Sequence, residues 1–195
     1  MTQHQADVDI DFADRSRALA VLDHTPASII RDGKITRHNT GVYFHGVPVD
    51  PLTGLCSVDY ESAEERGFFK FDLLNVHVYE QVRDEAHLER LMSTEPPWEL
   101  FLHDEFVSQL IHLGRHGELV RDLKPTCIEH VAMILALIRP GKRHLIDRCR
   151  RYGFDSISGE IWTPTADAYY FKHSHAVSYA MLVFVHANLL VEQLT

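Results

Sequence analysis

Two aspartates, Asp9 and Asp11, stand two residues apart in the run Asp-Val-Asp-Ile-Asp-Phe at residues 7–12. On a strand this spacing puts both carboxylates on one face, roughly 6–7 Å apart along the backbone, with Val8, Ile10 and Phe12 on the other. A third aspartate, Asp72, lies within the apolar run FFKFDLLNVHVYE at residues 68–80. A carboxylate placed there needs a compensating partner. Carboxylates drawn together repel and raise one another's pKa, and divalent cations relieve that repulsion. Two such ions, about 3.5–4 Å apart, activate an attacking oxygen and stabilise a leaving one in phosphoryl transfer. Oxygen-only ligands suit Mg²⁺ or Mn²⁺. The same residues also admit a plainer reading. Asp-x-Asp is common on exposed strand faces, and Lys70, two residues from Asp72 on the same face, offers an ion pair.

The elements that would position these side chains follow from the pattern. Residues 7–12 read as a strand, followed by a short helix to Leu22 capped by Asp14 or Ser16. Residues 23–40 read as irregular. Gly41 to Val49 reads as a strand broken at Gly46 and ended by Pro48, and Pro51 to Gly54 as a turn. Residues 68–80 read as a second long strand, with Lys70, Asp72 and Leu74 on one face. From residue 84 the chain becomes helical. Helices are expected from Asp84 or Glu85 to Met92, from His103 to Leu113 and from Glu118 to Leu123. An apolar helix then opens on the capping box Thr126-Cys-Ile-Glu129. A basic helix is expected over 142–151, a loop with a possible short strand over Asp155–Asp167, and a final helix from Ser174. Strands followed by helices predict an α+β fold, with a β-rich part over residues 1–83 and a helical part over 84–195.

Charge narrows the partners. The net charge is −9, the wrong sign for holding DNA by bulk attraction. Its distribution is uneven: residues 1–112 hold nine Lys and Arg against twenty Asp and Glu, whereas residues 113–151 hold nine against four. That basic stretch is either a phosphate-facing surface or a solvated helix face. Cys56, Cys127 and Cys149 form no CxxC pair, which fits a reducing cytosol. The segment MTQHQADVDI carries no leader pattern. Ala176 to Val191 falls short of the roughly 20 residues of a membrane span and is expected to be a buried core helix, with no membrane partner.

Five segments, in order, resemble the bacterial replicative C-family DNA polymerase, the DNA polymerase III alpha subunit. Ala-Asp-Val-Asp-Ile-Asp-Phe at 6–12 is similar to the family's palm motif, with Asp9 and Asp11 on its aspartate pair. His38-Asn-Thr-Gly41-Val42 resembles its His–Ala–Gly–Gly–Val segment. Glu64 to Leu74 is similar to the run acidic–x–x–Gly–x–x–Lys–Phe–Asp–Phe–Leu that carries the third aspartate, here Asp72, with Asn75 in place of the usual Gly. Leu123-Lys-Pro125 through Arg139-Pro140-Gly141 is similar to a fingers segment. Ser174-His175-Ala176-Val-Ser-Tyr179-Ala180 resembles the Ser–His–Ser–Ala–Ala–Tyr–Ala motif, with His173 where Lys is usual.

The resemblance implies a palm-like sheet and a helical, fingers-like part. It implies that Asp9, Asp11 and Asp72 hold two Mg²⁺ or Mn²⁺ ions and that Lys70 neutralises phosphate charge. It further implies that His38, Arg139, Lys142, Arg143, Ser174 and His175 contact DNA or nucleotide. The departures are as informative. Only six residues precede Asp7, so the family's N-terminal phosphoesterase-like domain is not expected in this sequence. Neither is the Gly/Ser/Arg-rich loop that binds the incoming triphosphate.

Two readings therefore stand. One is a metal-dependent nucleotidyl or phosphoryl transferase acting on DNA, a minimal palm and fingers core needing a protein partner, or a DNA-modifying transferase on the same scaffold. The other is a non-catalytic accessory that binds DNA or a replisome component. A short stand-alone relative suggests a phage or mobile element, working in the cytoplasm of a bacterium or an infected cell. The pair His112-x-x-x-His116 has helical spacing but no acidic partner, and Gly114 intervenes, so it does not read as a zinc site.

Overall fold

A computed structural model describes residues 8–165 and 169–194, so Asp7 and Asp167 lie outside the described residues. The chain is α+β and divides into two compact units, Met1–Val82 and Arg83–Thr195.

The first unit is built on a four-stranded mixed sheet. Strand β1, Val8–Phe12, alternates as its sequence requires, with Val8, Ile10 and Phe12 partly buried and Asp9 and Asp11 exposed. Asp14 caps helix α1, Arg15–Leu19, accepting from the Ser16 amide at 2.9 Å. Strands β2, Thr25–Arg31, and β3, Lys34–Tyr43, form an antiparallel hairpin. Residues 23–40 are thus not irregular. Asp32 and Gly33 both have positive φ, 51° and 73°, which gives the two-residue turn whose twist matches a hairpin. Helix α2, Tyr60–Glu65, starts at Asp59, which accepts from the Ser62 amide.

The long strand expected over 68–80 is shorter than its composition suggests: β4 spans Phe71–Asn75, and a 3₁₀ turn follows at His77–Gln81. Only Gly41–Tyr43 of the strand expected over 41–49 is extended in the sheet. The strand order is β1-β4-β3-β2, with β1 parallel to β4 and the other neighbours antiparallel. Ala27, Tyr43, Cys56 and Ala63 form a small core beneath it.

The second unit is helical: α3, Glu85–Ser93; α4, Asp104–Val107; α5, Gly117–Leu123; α6, Ile128–Leu137; α7, Ile146–Tyr152; α8, Ser158–Ile161; and α9, His173–Leu194. Residues Val131 to Leu137 of α6 are all buried, which explains its near-continuous apolar sequence. Several expectations are corrected. The helix expected over 103–113 stops at Val107, and His112 takes a left-handed φ of 63°. Residues 142–151 are split between a 3₁₀ turn, Pro140–Leu145, and α7. Asp155 lies in a 3₁₀ turn, Phe154–Ile157, that leads into α8, and the described residues there form no strand. Thr126 and Glu129 do not form a capping box. The His130 ring instead takes the Thr126 amide at 3.2 Å, and Glu129 pairs with His173.

The final helix has 22 residues and begins at His173, so by length and composition it could cross a membrane. Its burial fits a core helix, since 56% of its most apolar window is covered. Its polar groups are also tied into the unit. Asn188 Nδ2 donates to the Leu91 and Thr94 carbonyls at 2.8 and 2.6 Å, and His186 Nδ1 accepts from the Ile111 amide at 3.0 Å. His87 Nδ1 accepts from the Arg83 amide, so its proton sits on Nε2, which donates to Glu192 at 3.0 Å.

Candidate functional site

The parallel register of β1 and β4 sets Asp9 beside Asp72 and Asp11 beside Leu74. Paired residues of adjacent strands share a face and lie about 4.8 Å apart, so Asp9 and Asp72 are neighbours on the same face of the sheet, with Asp11 one step along it. Sequence spacing could relate Asp9 to Asp11; this pairing adds the third residue.

The three carboxylates sit in different environments. Asp9 and Asp11 are exposed. Asp72 is only 15% exposed and is held from two sides, with Thr40 Oγ1 donating to Oδ1 at 2.6 Å and Lys70 Nζ paired with Oδ2. Burial raises its pKa, but the hydrogen bonds from Lys70 and Thr40, with the Lys70 charge, outweigh it and hold the carboxyl below its ordinary value. Asp11 moves the other way: desolvation by its surroundings and the Asp9 charge push its carboxyl above its ordinary value. Tyr79, in the 3₁₀ turn after β4, is raised by burial and by Asp11.

His38 braces this face as a neutral ring. Its Nδ1 accepts from the amides of Gly41 (2.9 Å) and Thr40 (3.3 Å), which places the ring proton on Nε2. Burial and the Lys70 charge lower its pKa, so its 3.7 Å separation from Asp72 Oδ1 is not an ion pair at neutral pH. Tyr60 meets the His38 ring edge-on at 5.2 Å and lies 5.7 Å from Lys70 Nζ. Gly41, paired with Asp72 across β3 and β4, leaves the space this cluster needs. A Cβ there would lie 2.7 Å from Lys70 Cδ and 2.9 Å from His38 Nδ1.

The donor chemistry fits a hard divalent cation: carboxylate oxygens on one face, with a hydroxyl beside them. Among the described residues, however, no three His, Cys, Asp or Glu side chains are drawn together closely enough to hold an ion. The carboxylates share a face, and Lys70 neutralises one of them.

The expected substrate contacts of the second unit fare unevenly. Arg139 is half-buried, with its guanidinium 4.7 Å from the Phe171 ring and 6.0 Å from Tyr169. His175 stacks on Phe171 at 6.3 Å, so Arg139 and His175 flank the same aromatic ring. Ser174 and Arg143 are exposed. Lys142 is corrected. It is 2% exposed, and its ammonium donates to the Glu160 carbonyl at 2.7 Å and to Thr163 Oγ1 at 3.2 Å, so it is a buried strut and not a surface contact. Arg148 and Arg150 are paired with Glu160 and Asp122.

Thr40, Tyr60 and Tyr79 join the first site without having stood out in the sequence. Thr40 comes from the hairpin, Tyr60 from the start of α2 and Tyr79 from the 3₁₀ turn after β4, so their approach depends on elements distant in the sequence. Compared with protein-family models and with curated proteins, the chain matches none.

Proposed function

We propose that the chain is a metal-dependent nucleotidyl or phosphoryl transferase acting on DNA, with a palm-like sheet and a fingers-like helical unit. The observation that carries this reading is the register that puts Asp9 next to Asp72, with Asp11 on the same face. Spacing selects Asp9 and Asp11, and the resemblance to the polymerase alpha subunit selects all three residues.

In this reading Asp9, Asp11 and Asp72 hold two Mg²⁺ or Mn²⁺ ions. When bound, such ions supply charge neutralisation at the phosphoryl group and lower the pKa of an attacking hydroxyl. The chain's own residues do the rest. Asp9 and Asp11 supply the repelling negative charge that gives the face its cation affinity. Lys70 is a mobile counter-charge, covering Asp72 in the absence of a cation and turning to a phosphate oxygen in its presence. Thr40 and His38 fix Asp72 and the β3 backbone. Arg139, Arg143, Ser174 and His175 contact the DNA or nucleotide, and a protein partner completes the nucleotide site. The setting is the cytoplasm of a bacterium or an infected cell.

One observation favours the second reading, a non-catalytic accessory that binds DNA or a replisome component. Lys70 and Thr40 already satisfy Asp72, so that carboxylate is stable without a cation.

A transfer assay separates the two. Primed DNA, deoxynucleotides and Mg²⁺ or Mn²⁺ are incubated with the wild type, with Asp9→Asn and with Asp72→Asn, alone and with replication proteins from the same source. The expected result is metal-dependent incorporation that EDTA abolishes and that each substitution lowers by at least about a hundredfold. Incorporation that is absent under every condition, or equal in wild type and variants, favours the accessory reading.

A further inference from the structure

We propose that a cleft of about 340 Å³ in the helical unit, walled by Arg115, His116, Arg143 and Arg150, binds a diphosphate group, free or as part of a nucleotide. This inference is independent of the carboxylate face. It brings in Arg115 and His116 from the turn leading into α5, and all its lining residues lie within the second unit.

The charge of the cleft is lopsided. Three arginines line it against one acidic residue, Glu118, in a chain whose net charge is −9. Arg150 is occupied, paired with Asp122 at 2.8 Å and near Asp147 at 3.9 Å. Arg115 and Arg143 have no acidic partner among the described residues. Arg143 Nε donates to the Ile138 carbonyl at 3.2 Å, which ties its guanidinium to the rim while leaving other N–H groups to donate. Arg139 adds charge nearby, and its Nε is buried without a hydrogen bond among the described residues.

His116 registers this field. Burial, then Arg143, Arg139 and Arg115, lower its pKa, so the ring is neutral at pH 7 and can donate one N–H without adding to the repulsion. Gathered cations without a matching acid repel one another, and a bound anion removes that cost. Planar guanidinium forks pair with phosphate oxygens through two parallel hydrogen bonds. Leu119, Ile138 and Ile146 give the cleft apolar walls. Its volume is at the lower end of small-ligand sites, so it has room for more than one phosphate.

The test is calorimetric titration of the full chain with inorganic pyrophosphate, in EDTA and low salt, repeated with a deoxynucleoside triphosphate. Saturable 1:1 binding is expected. Arg115→Gln and Arg143→Gln should each weaken it by about tenfold or more, and Glu118→Gln should tighten it. Arg66→Gln, an exposed arginine of the first unit, should leave it unchanged. Arg115 is exposed, so its variant should fold, which emission from Trp98 and Trp162 would report. Equal affinity for pyrophosphate and triphosphate identifies the free anion as sufficient, and a markedly tighter triphosphate identifies the nucleotide as the source. Asp72→Asn should bind as the wild type does, so failure of the metal reading leaves this result standing. The proposal is overturned if no saturable binding occurs, if Arg115→Gln and Arg143→Gln bind normally, or if binding needs Asp72.

Discussion

Lys142→Ala is expected to destabilise the helical unit by about 3 kcal/mol, because it opens a cavity where a four-carbon stem is packed and removes two hydrogen bonds. Lys142 is 2% exposed, and its ammonium serves the Glu160 carbonyl and the Thr163 hydroxyl. Lys142→Met keeps most of the volume and loses only the hydrogen bonds, so its cost should be smaller, about 1–2 kcal/mol. Both tryptophans, Trp98 and Trp162, lie in this unit, so their fluorescence in a urea titration follows its unfolding. If Lys142 instead served as a surface phosphate contact, Lys142→Ala would change stability by less than about 0.5 kcal/mol.

Gly41→Ala is expected to cost the sheet unit about 1–3 kcal/mol through overpacking. The new methyl would lie 2.7 Å from Lys70 Cδ, 2.9 Å from His38 Nδ1 and 3.1 Å from Ala27 Cβ. The Lys70 stem can swing away, but only by giving up Asp72. The His38 ring cannot retreat without losing the Gly41 amide that it accepts from. Gly46→Ala is the matched control, since nothing lies within 4 Å of its Cβ position, and it should stay within about 0.5 kcal/mol of wild type. Amide exchange at Val42 and Leu73, both buried on the strands that flank the site, reads the difference. Lys70→Ala combined with Gly41→Ala should recover part of the loss, a coupling that a double-mutant cycle measures. Equal exchange in Gly41→Ala and Gly46→Ala would overturn this account of the glycine.

The sequence makes some of this architecture legible and hides the rest for identifiable reasons. The alternation of residues 8–12 sets which face Asp9 and Asp11 occupy, because strand side chains have a period of two. It says nothing of Asp72, whose place beside Asp9 depends on pairing across more than sixty residues. The hairpin over 25–43 carries its own signal, Asp32-Gly33, but its many polar residues make the flanking strands look like loop. The box at Thr126 and Glu129 fails because His130 competes for the Thr126 amide, a competition that spacing cannot reveal. Counting cations over 139–151 treats Lys142 and Arg143 alike, yet one is buried and the other exposed. The arginine cleft is equally hidden, since it joins the turn before α5 to a 3₁₀ turn and α7.

Mn²⁺ titration of the wild type and of Asp9→Asn, Asp11→Asn and Asp72→Asn tests the carboxylate face most directly. Binding below about 1 mM is expected for the wild type, and each substitution should weaken it at least about tenfold. Lys70→Met should tighten it, because the ammonium that competes for Asp72 is gone. A wild type with no Mn²⁺ site below about 1 mM, or one whose affinity survives loss of Asp9 and Asp72, would contradict the assignment of this face as a metal centre.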